Sequence, residues 1–270
     1  MLLDLLRAMP GRIRSWVLPN IRAFVEHRQP VIWCLSLVIG LSVAWAAIGF
    51  RQLIGLVQLY WLGDTSEQVL TVASHTPWYM ILAGPTLGGV VVGILVSRFI
   101  PSRRTSGVAD VIEARALTGR RLSLREGIMS ALTTAFSLGA GGSAGREGPV
   151  IHLGATLASA VGERLDLPDY ARRTLLAAGV ASAISASFNA PIAGVLFAHE
   201  VILGHYASRS FVPIVISSAA GAIVSWVWFG DAAAFIVPAY QITSYWEFPA
   251  FALLGVCLLY TSDAADEEDS

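Results

Sequence analysis

The chain has 270 residues, 55% of them hydrophobic and only 14% charged, about half the charged share of a soluble domain. Its mean hydropathy is +0.63, which excludes a disordered chain, a nucleic-acid binder and an ordinary cytosolic enzyme, and leaves an all-α integral membrane protein. The formal net charge of −1 is unevenly spread: all 18 basic residues are arginine, and an acidic cluster closes the sequence, so the remainder is mildly basic.

Residues 1–29 carry Arg7, Arg12, Arg14, Arg22 and Arg28 among leucines and valines. Asp4 and the lack of a small-residue cleavage site argue against a signal peptide, and an amphipathic helix on the cytoplasmic membrane surface is expected instead. The apolar stretch Val31 to Leu62, interrupted at Arg51 and Gln52, exceeds one perpendicular crossing and predicts a tilted span. A second span is predicted from Pro77 to Ile100. The connection between them has no arginine, whereas the segment 98–125 carries seven. The excess of arginine inside then places the N-terminus and 98–125 in the cytoplasm, as in a multi-pass protein of a bacterial inner membrane.

Beyond that point the apolar segments shorten, to about 126–140, 150–162, 171–188, 191–203 and 211–229, with glycine and proline at Gly139–Gly145, Pro149, Pro191 and Pro213. Segments of a dozen residues cannot each cross a bilayer. Broken helices at membrane depth are tolerated when they are buried in protein or line a watery path, and they point to an ion or substrate site. The alternative is a set of packing kinks.

The stretch Gly139-Ala-Gly-Gly-Ser-Ala-Gly145-Arg146-Glu147-Gly148-Pro149 reads as a glycine-rich bend feeding a new helix, with proline in the first turn, where its missing N–H costs nothing. Amides around Arg146–Gly148, backed by the positive end of the helix dipole, would suit an anion. Glu147 would sit where the anion sits, occupying the place when charged and leaving it when protonated. That makes it a candidate gate or proton carrier. A buried Glu147–Arg146 pair or a helix cap is the plainer reading.

Gly145-Arg-Glu-Gly-Pro149 resembles the signature of the CLC family of chloride channels and proton-coupled chloride transporters. Thr105-Ser-Gly-Val-Ala109 is similar to that family's earlier Gly-Ser-Gly-Ile-Pro motif, with Ser106 at the anion-coordinating serine. Arg173 to Ala181 and Ser187-Phe-Asn189-Ala-Pro191-Ile-Ala-Gly-Val-Leu-Phe197 resemble the helices that follow. The likeness covers residues 30–256, about the first half of a CLC transmembrane domain. It implies an inverted-repeat fold of broken, tilted helices, first repeat present, and a homodimer with one pathway per subunit. It implies a chloride channel or chloride/proton antiporter, not an enzyme, with chloride as substrate and no cofactor. Ser106, Gly107, Gly145, Arg146 and Gly148 would bind the anion and Glu147 would gate it, with Pro149, Asn189 and Pro191 as structural motif residues. Departures from the pattern are Thr105 and Ala109 in the first motif, and Val201, where proton-coupled relatives carry an inner glutamate and Glu200 lies one residue earlier. A valine there tilts the expectation toward a channel. The family's second inverted half, its Gly-x-Phe-x-Pro motif and its inner tyrosine are not found in these residues, so they alone are expected to be inactive.

Residues 257–270 interrupt an apolar segment that begins at Phe248, and Cys257-Leu-Leu-Tyr-Thr-Ser-Asp-Ala-Ala-Asp-Glu267 resembles a translated sequencing adapter. A native sequence continuing differently after Val256 is expected; a genuine acidic tail is the alternative. Three other patterns carry less. Gly141-Gly-Ser143-Ala-Gly145 fits the Gly-x-Ser-x-Gly pattern of hydrolases, but that elbow follows a strand and needs a histidine base, whereas a helix precedes it here and His152 lies along the same broken element. His199 and His205 are six residues apart, not the four of a metalloprotease helix, so no metal site is expected. Cys34 and Cys257 cannot make a disulfide scaffold.

Overall fold

Glycine, serine and alanine dominate the contact faces of these helices, and they set how the chain packs. A computed structural model describes residues 29–64, 72, 76–117, 122–230 and 245–257. The expected N-terminal surface helix and residues 258–270 lie outside the described residues. The first compact unit runs to Ala234 and the second from Phe235. All the regular elements described are helical. In the first unit they are α1 (Gln29–Leu62), α2 (Trp78–Phe99), α3 (Val108–Ala116), α4 (Leu124–Gly139), α5 (Glu147–Arg164), α6 (Asp169–Phe188), α7 (Pro191–Phe197, widening into a π-helical turn at Ala198–Leu203) and α8 (Ser208–Phe229). In the second unit, α9 (Glu247–Cys257) is a short apolar helix.

Three helices, α1, α2 and α8, are long and apolar enough to cross a membrane. α1 runs unbroken through Arg51 and Gln52 for 34 residues. At 1.5 Å per residue that is roughly 50 Å, well beyond a hydrocarbon core of about 30 Å, so it must tilt. α2 buries only Gly84 and presents Leu82, Leu87, Val90 and Ile94 outward, the surface expected toward lipid or another chain. The shorter segments predicted from residue 126 onward are helices with boundaries within a few residues of those expected.

α6 is the hub. It is buried continuously from Thr174 to Ala186 and packs against α1, α5, α7 and α8. Lipid supplies no hydrophobic drive between helices, so close backbone approach and interhelical hydrogen bonds carry the association. Serine hydroxyls bridge the helices. Ser182 Oγ donates to the Gly40 carbonyl at 2.8 Å, Ser185 Oγ to Ser218 O at 2.6 Å and Ser217 Oγ to Ala178 O at 2.7 Å. Where α5 crosses α6, a Cβ on Gly154 would lie 2.7 Å from the Gly179 carbonyl oxygen, so the two backbones touch. Gly84 and Gly88, spaced as small residues for helix contact, meet the Trp61 ring and Ala140.

The break between α6 and α7 follows from its residues. Asn189 ends α6 in the left-handed conformation (φ 53°, ψ 38°), which asparagine tolerates better than most side chains. Pro191 then starts α7 at the position where its fixed φ is preset for a helix. Ser218 Oγ donates to the Pro191 carbonyl at 2.8 Å, tying the restarted helix to α8.

Candidate functional site

Two short helix starts converge. α3 begins after Gly107, and α5 begins at Glu147 with Arg146 as its N-cap. The position a Cβ would take on Gly148 lies 3.6 Å from the Cα of Gly107, so the first turns of the two helices face each other almost at backbone contact. Glu147 and Gly148 lie in the first turn of α5, where amides have no intrahelical acceptor; Pro149 has no N–H to leave open. The Glu147 carboxylate folds back over Gly145 and fills the space a side chain there would need. Gly145 is therefore small to admit the glutamate, whereas a Cβ at Gly148 would make only ordinary contact with Gly107.

The α3 side differs from expectation. The Ser106 amide donates to Ser130 Oγ on α4 at 2.8 Å, and the Gly107 amide donates to Asp110 Oδ2 at 2.9 Å. Neither points at an anion, because a hydroxyl from α4 and a carboxylate three residues along already take them. The Ser106 side chain is the group this element offers. Asp110 is 8% exposed and is gripped in a fork by Arg104, with Nη2–Oδ1 at 2.6 Å and Nη1–Oδ2 at 3.0 Å. Sequence reasoning missed Ser130, Asp110 and Arg104 as the residues that hold Ser106 in place. Burial pushes the Asp110 carboxyl up, but the Arg104 guanidinium and the Gly107 amide outweigh it and hold the group below the ordinary carboxylate range.

A depressed folded pKa contributes stability that is present above the unfolded value near 3.9 and is lost only as pH falls through the lower folded value. The clamp is therefore intact from pH 5 to 8. Asp110→Asn should lower thermal stability and weaken anion affinity while leaving the shape of any transport pH profile in that range unchanged. Melting curves and flux at several pH values check this.

Arg146 is turned away from the gap. Its Cζ lies 5.9 Å from the Phe188 ring centroid, and it lines a cleft to which α1, α6 and α8 also contribute. Trp61 Nε1 donates to the Gly139 carbonyl at 2.7 Å, anchoring the start of the glycine-rich bend to α1. Ser143 lies in that bend, preceded by helix α4 rather than a strand, and His152 is buried within α5 at 3% exposure. The hydrolase pattern thus gains no support. His199 is fully buried, stacked on Tyr206 and Phe211 with its Nδ1 3.1 Å from the His205 carbonyl. Val201 is 37% exposed, in the π-helical turn.

Comparison with known proteins agrees with this arrangement. Residues 88–262 match the family model described as voltage gated chloride channel. A putative chloride channel protein ClcB-like from Ralstonia nicotianae is 31% identical over 81% of this chain and 52% of its own length. The voltage-gated ClC-type chloride channel ClcB of Escherichia coli is 29% identical over 71% of this chain and 46% of its own. Among solved structures, a slow cyanobacterial Cl−/H+ antiporter superposes with TM-score 0.66 at 21% identity, covering 84% of this chain and 53% of that one. A CLC-type fluoride/proton antiporter gives 0.64 at 25% identity, covering 84% and 54%. The chain spans about half the length of these relatives, as expected for the first repeat of the CLC fold. On the extent of the family match and the helix-start geometry that accompanies it, the chain belongs to the voltage gated chloride channel family.

Proposed function

We propose that this chain builds one side of a transmembrane chloride pathway, with the anion held between the Ser106 hydroxyl and the Glu147–Gly148 amides and with Glu147 as its gate. The observation that carries the reading is the meeting of the α3 and α5 starts at Gly107 and Gly148. The open amides at the α5 start, with the Ser106 hydroxyl offered from the α3 side, stabilise an anion without a full basic charge, which binds it loosely enough to let it leave. The activity is transport rather than bond-making catalysis. The complete pathway needs the inverted partner repeat, and the family resemblance supports a homodimer with a pathway in each subunit. Placement of the N-terminus in the cytoplasm of a bacterial cell, with the chain in the inner membrane, rests on the arginine distribution.

Val201 favours an uncoupled channel, because no carboxylate stands at that position to take protons from the inner side. The second reading, a chloride/proton antiporter, is favoured by the two antiporters among its structural neighbours. Vesicles containing the protein expressed from the complete gene separate the two. A chloride gradient should dissipate without driving proton uptake; proton uptake against its own gradient would select the antiporter.

A further inference from the structure

α3 carries Ser106 at its front, yet it has nine residues and buries only Asp110 and Val111. A helix that short is not stable by itself and takes its place from what grips it. The fork between Arg104 and Asp110, and the bond from Asp110 to the Gly107 amide, join residues of one stretch of chain. They shape the start of α3 without fixing where α3 lies. At the front, the Ser106 amide is bonded to Ser130 Oγ of α4. In the middle, Val111 is fully buried in an apolar cluster with Ile151 of α5 and with Ile202 and Leu203 of the π-helical turn. At the rear, one turn beyond Val111 and on the same face, the Arg115 guanidinium donates to the Leu203 carbonyl.

That carbonyl suits a cation. Leu203 is the last residue of the π-helical turn. The two amides that follow it, of Gly204 and His205, both donate to the His199 carbonyl instead. The carbonyl end of a helix is its negative pole, where an arginine is favoured. Gly204 turns the chain at φ 67°, and a Cβ there would face Arg115 Nη2 at 4.0 Å. Arg115 Nε is buried without a hydrogen-bond partner, so the side chain is enclosed against the turn and held there through its Nη2 end.

We infer that Arg115 is a positioning residue for anion binding: by fastening the rear of α3 to the π-helical turn it fixes the Ser106 hydroxyl, although it touches no anion itself. The inference rests on the anion-transport reading and extends it. Arg115 lies nine residues beyond Ser106, roughly 13 Å along a helix axis. With its rear released, α3 is free to pivot about Val111, and the pivot moves Ser106 the opposite way. A displaced hydroxyl loses its grip on the ion, because a hydrogen bond weakens steeply as it goes out of line.

The test measures flux against chloride concentration in liposomes containing the protein expressed from the complete gene, for the unaltered protein, Arg115→Gln, Ser106→Ala and the double variant. Arg115→Gln should raise the half-saturating chloride concentration roughly three- to tenfold with little change in maximal flux. Arg115→Lys keeps a cation at the carbonyl end without the planar fork, and should give a smaller shift in the same direction. If the glutamine variant does not fold, the lysine variant is read in the same two backgrounds. With Ser106→Ala already present, the change at Arg115 should add no further shift, since the hydroxyl it positions is gone. An arginine with a purely structural role would lower maximal flux and melting temperature, and would act equally in both backgrounds. An unchanged half-saturating concentration in the Arg115 variant read, or an equal shift with and without the Ser106 hydroxyl, would overturn this inference alone, provided that Ser106→Ala weakens chloride binding. Absence of flux from the unaltered protein, or no effect of Ser106→Ala, would overturn the anion pathway and this inference with it.

Discussion

Glu147→Gln should remove the pH dependence of anion flux while flux itself continues. The carboxylate folds back over Gly145 at the mouth of the α5 start, close to where the amides of that turn would hold an anion. Ionised, it competes with chloride for the same donors; protonated, it has no charge to hold it there and can swing out. Flux in the unaltered protein should therefore be greater at acid than at neutral pH. Glutamine has the shape of the protonated acid and cannot titrate, so its profile should be flat at the acid-side level. Gly145→Ala provides a structural check, since the added methyl takes the space of the carboxylate. It should displace Glu147 and weaken the pH dependence without removing the titratable group. A Glu147→Gln profile that still followed the unaltered one would contradict the gate.

The largest effect on folding is expected from Gly179→Leu. A Cβ at Gly179 would fall on the carbonyl oxygen of Gly154 and 2.9 Å from the Cβ of Ala158. The obstacle is the backbone of α5, which cannot rotate aside as a side chain could. Overpacking of a closely packed interface costs about 1–3 kcal/mol and sometimes more, a large share of the stability of a domain. Since α6 is the hub, driving α5 away from it also moves Glu147 relative to α3. The expected result is loss of the monodisperse peak in detergent size-exclusion chromatography. Gly93→Leu is the control: nothing lies within 4 Å of a Cβ at Gly93, so that variant should behave as the unaltered protein.

The helices and the break at Asn189–Pro191 were legible because local chemistry dictates them. Asparagine accepts the left-handed turn, proline starts the next helix, and runs of apolar residues bounded by glycine set the ends. The start of α5 at Glu147 was equally legible from Gly145-Arg-Glu-Gly-Pro149. The clamp on Ser106 was not. Ser130 lies 24 residues away from the amide it accepts from, and no periodicity links them. Nothing in the local pattern marks Asp110, whose fork with Arg104 and bond to the Gly107 amide take a donor assigned to the anion. The direction of Arg146 was hidden for the same reason. A motif fixes its place in the chain, but Phe188, which comes from another helix, helps decide where the guanidinium goes. The widening of α7 into a π-helical turn at Ala198–Leu203 also left no mark in the pattern. There the Arg115 guanidinium of α3 donates to the Leu203 carbonyl, a contact between residues far apart in the chain.

The most direct test of the central claim is chloride efflux from liposomes containing the protein expressed from the complete gene, with potassium permeability supplied by an ionophore, comparing the unaltered protein with Ser106→Ala. Efflux well above that of empty liposomes, with a weaker apparent affinity for chloride in Ser106→Ala, is the predicted result. Correctly inserted, monodisperse protein that passes no chloride, or efflux to which Ser106 makes no difference, would contradict the pathway drawn between the two helix starts.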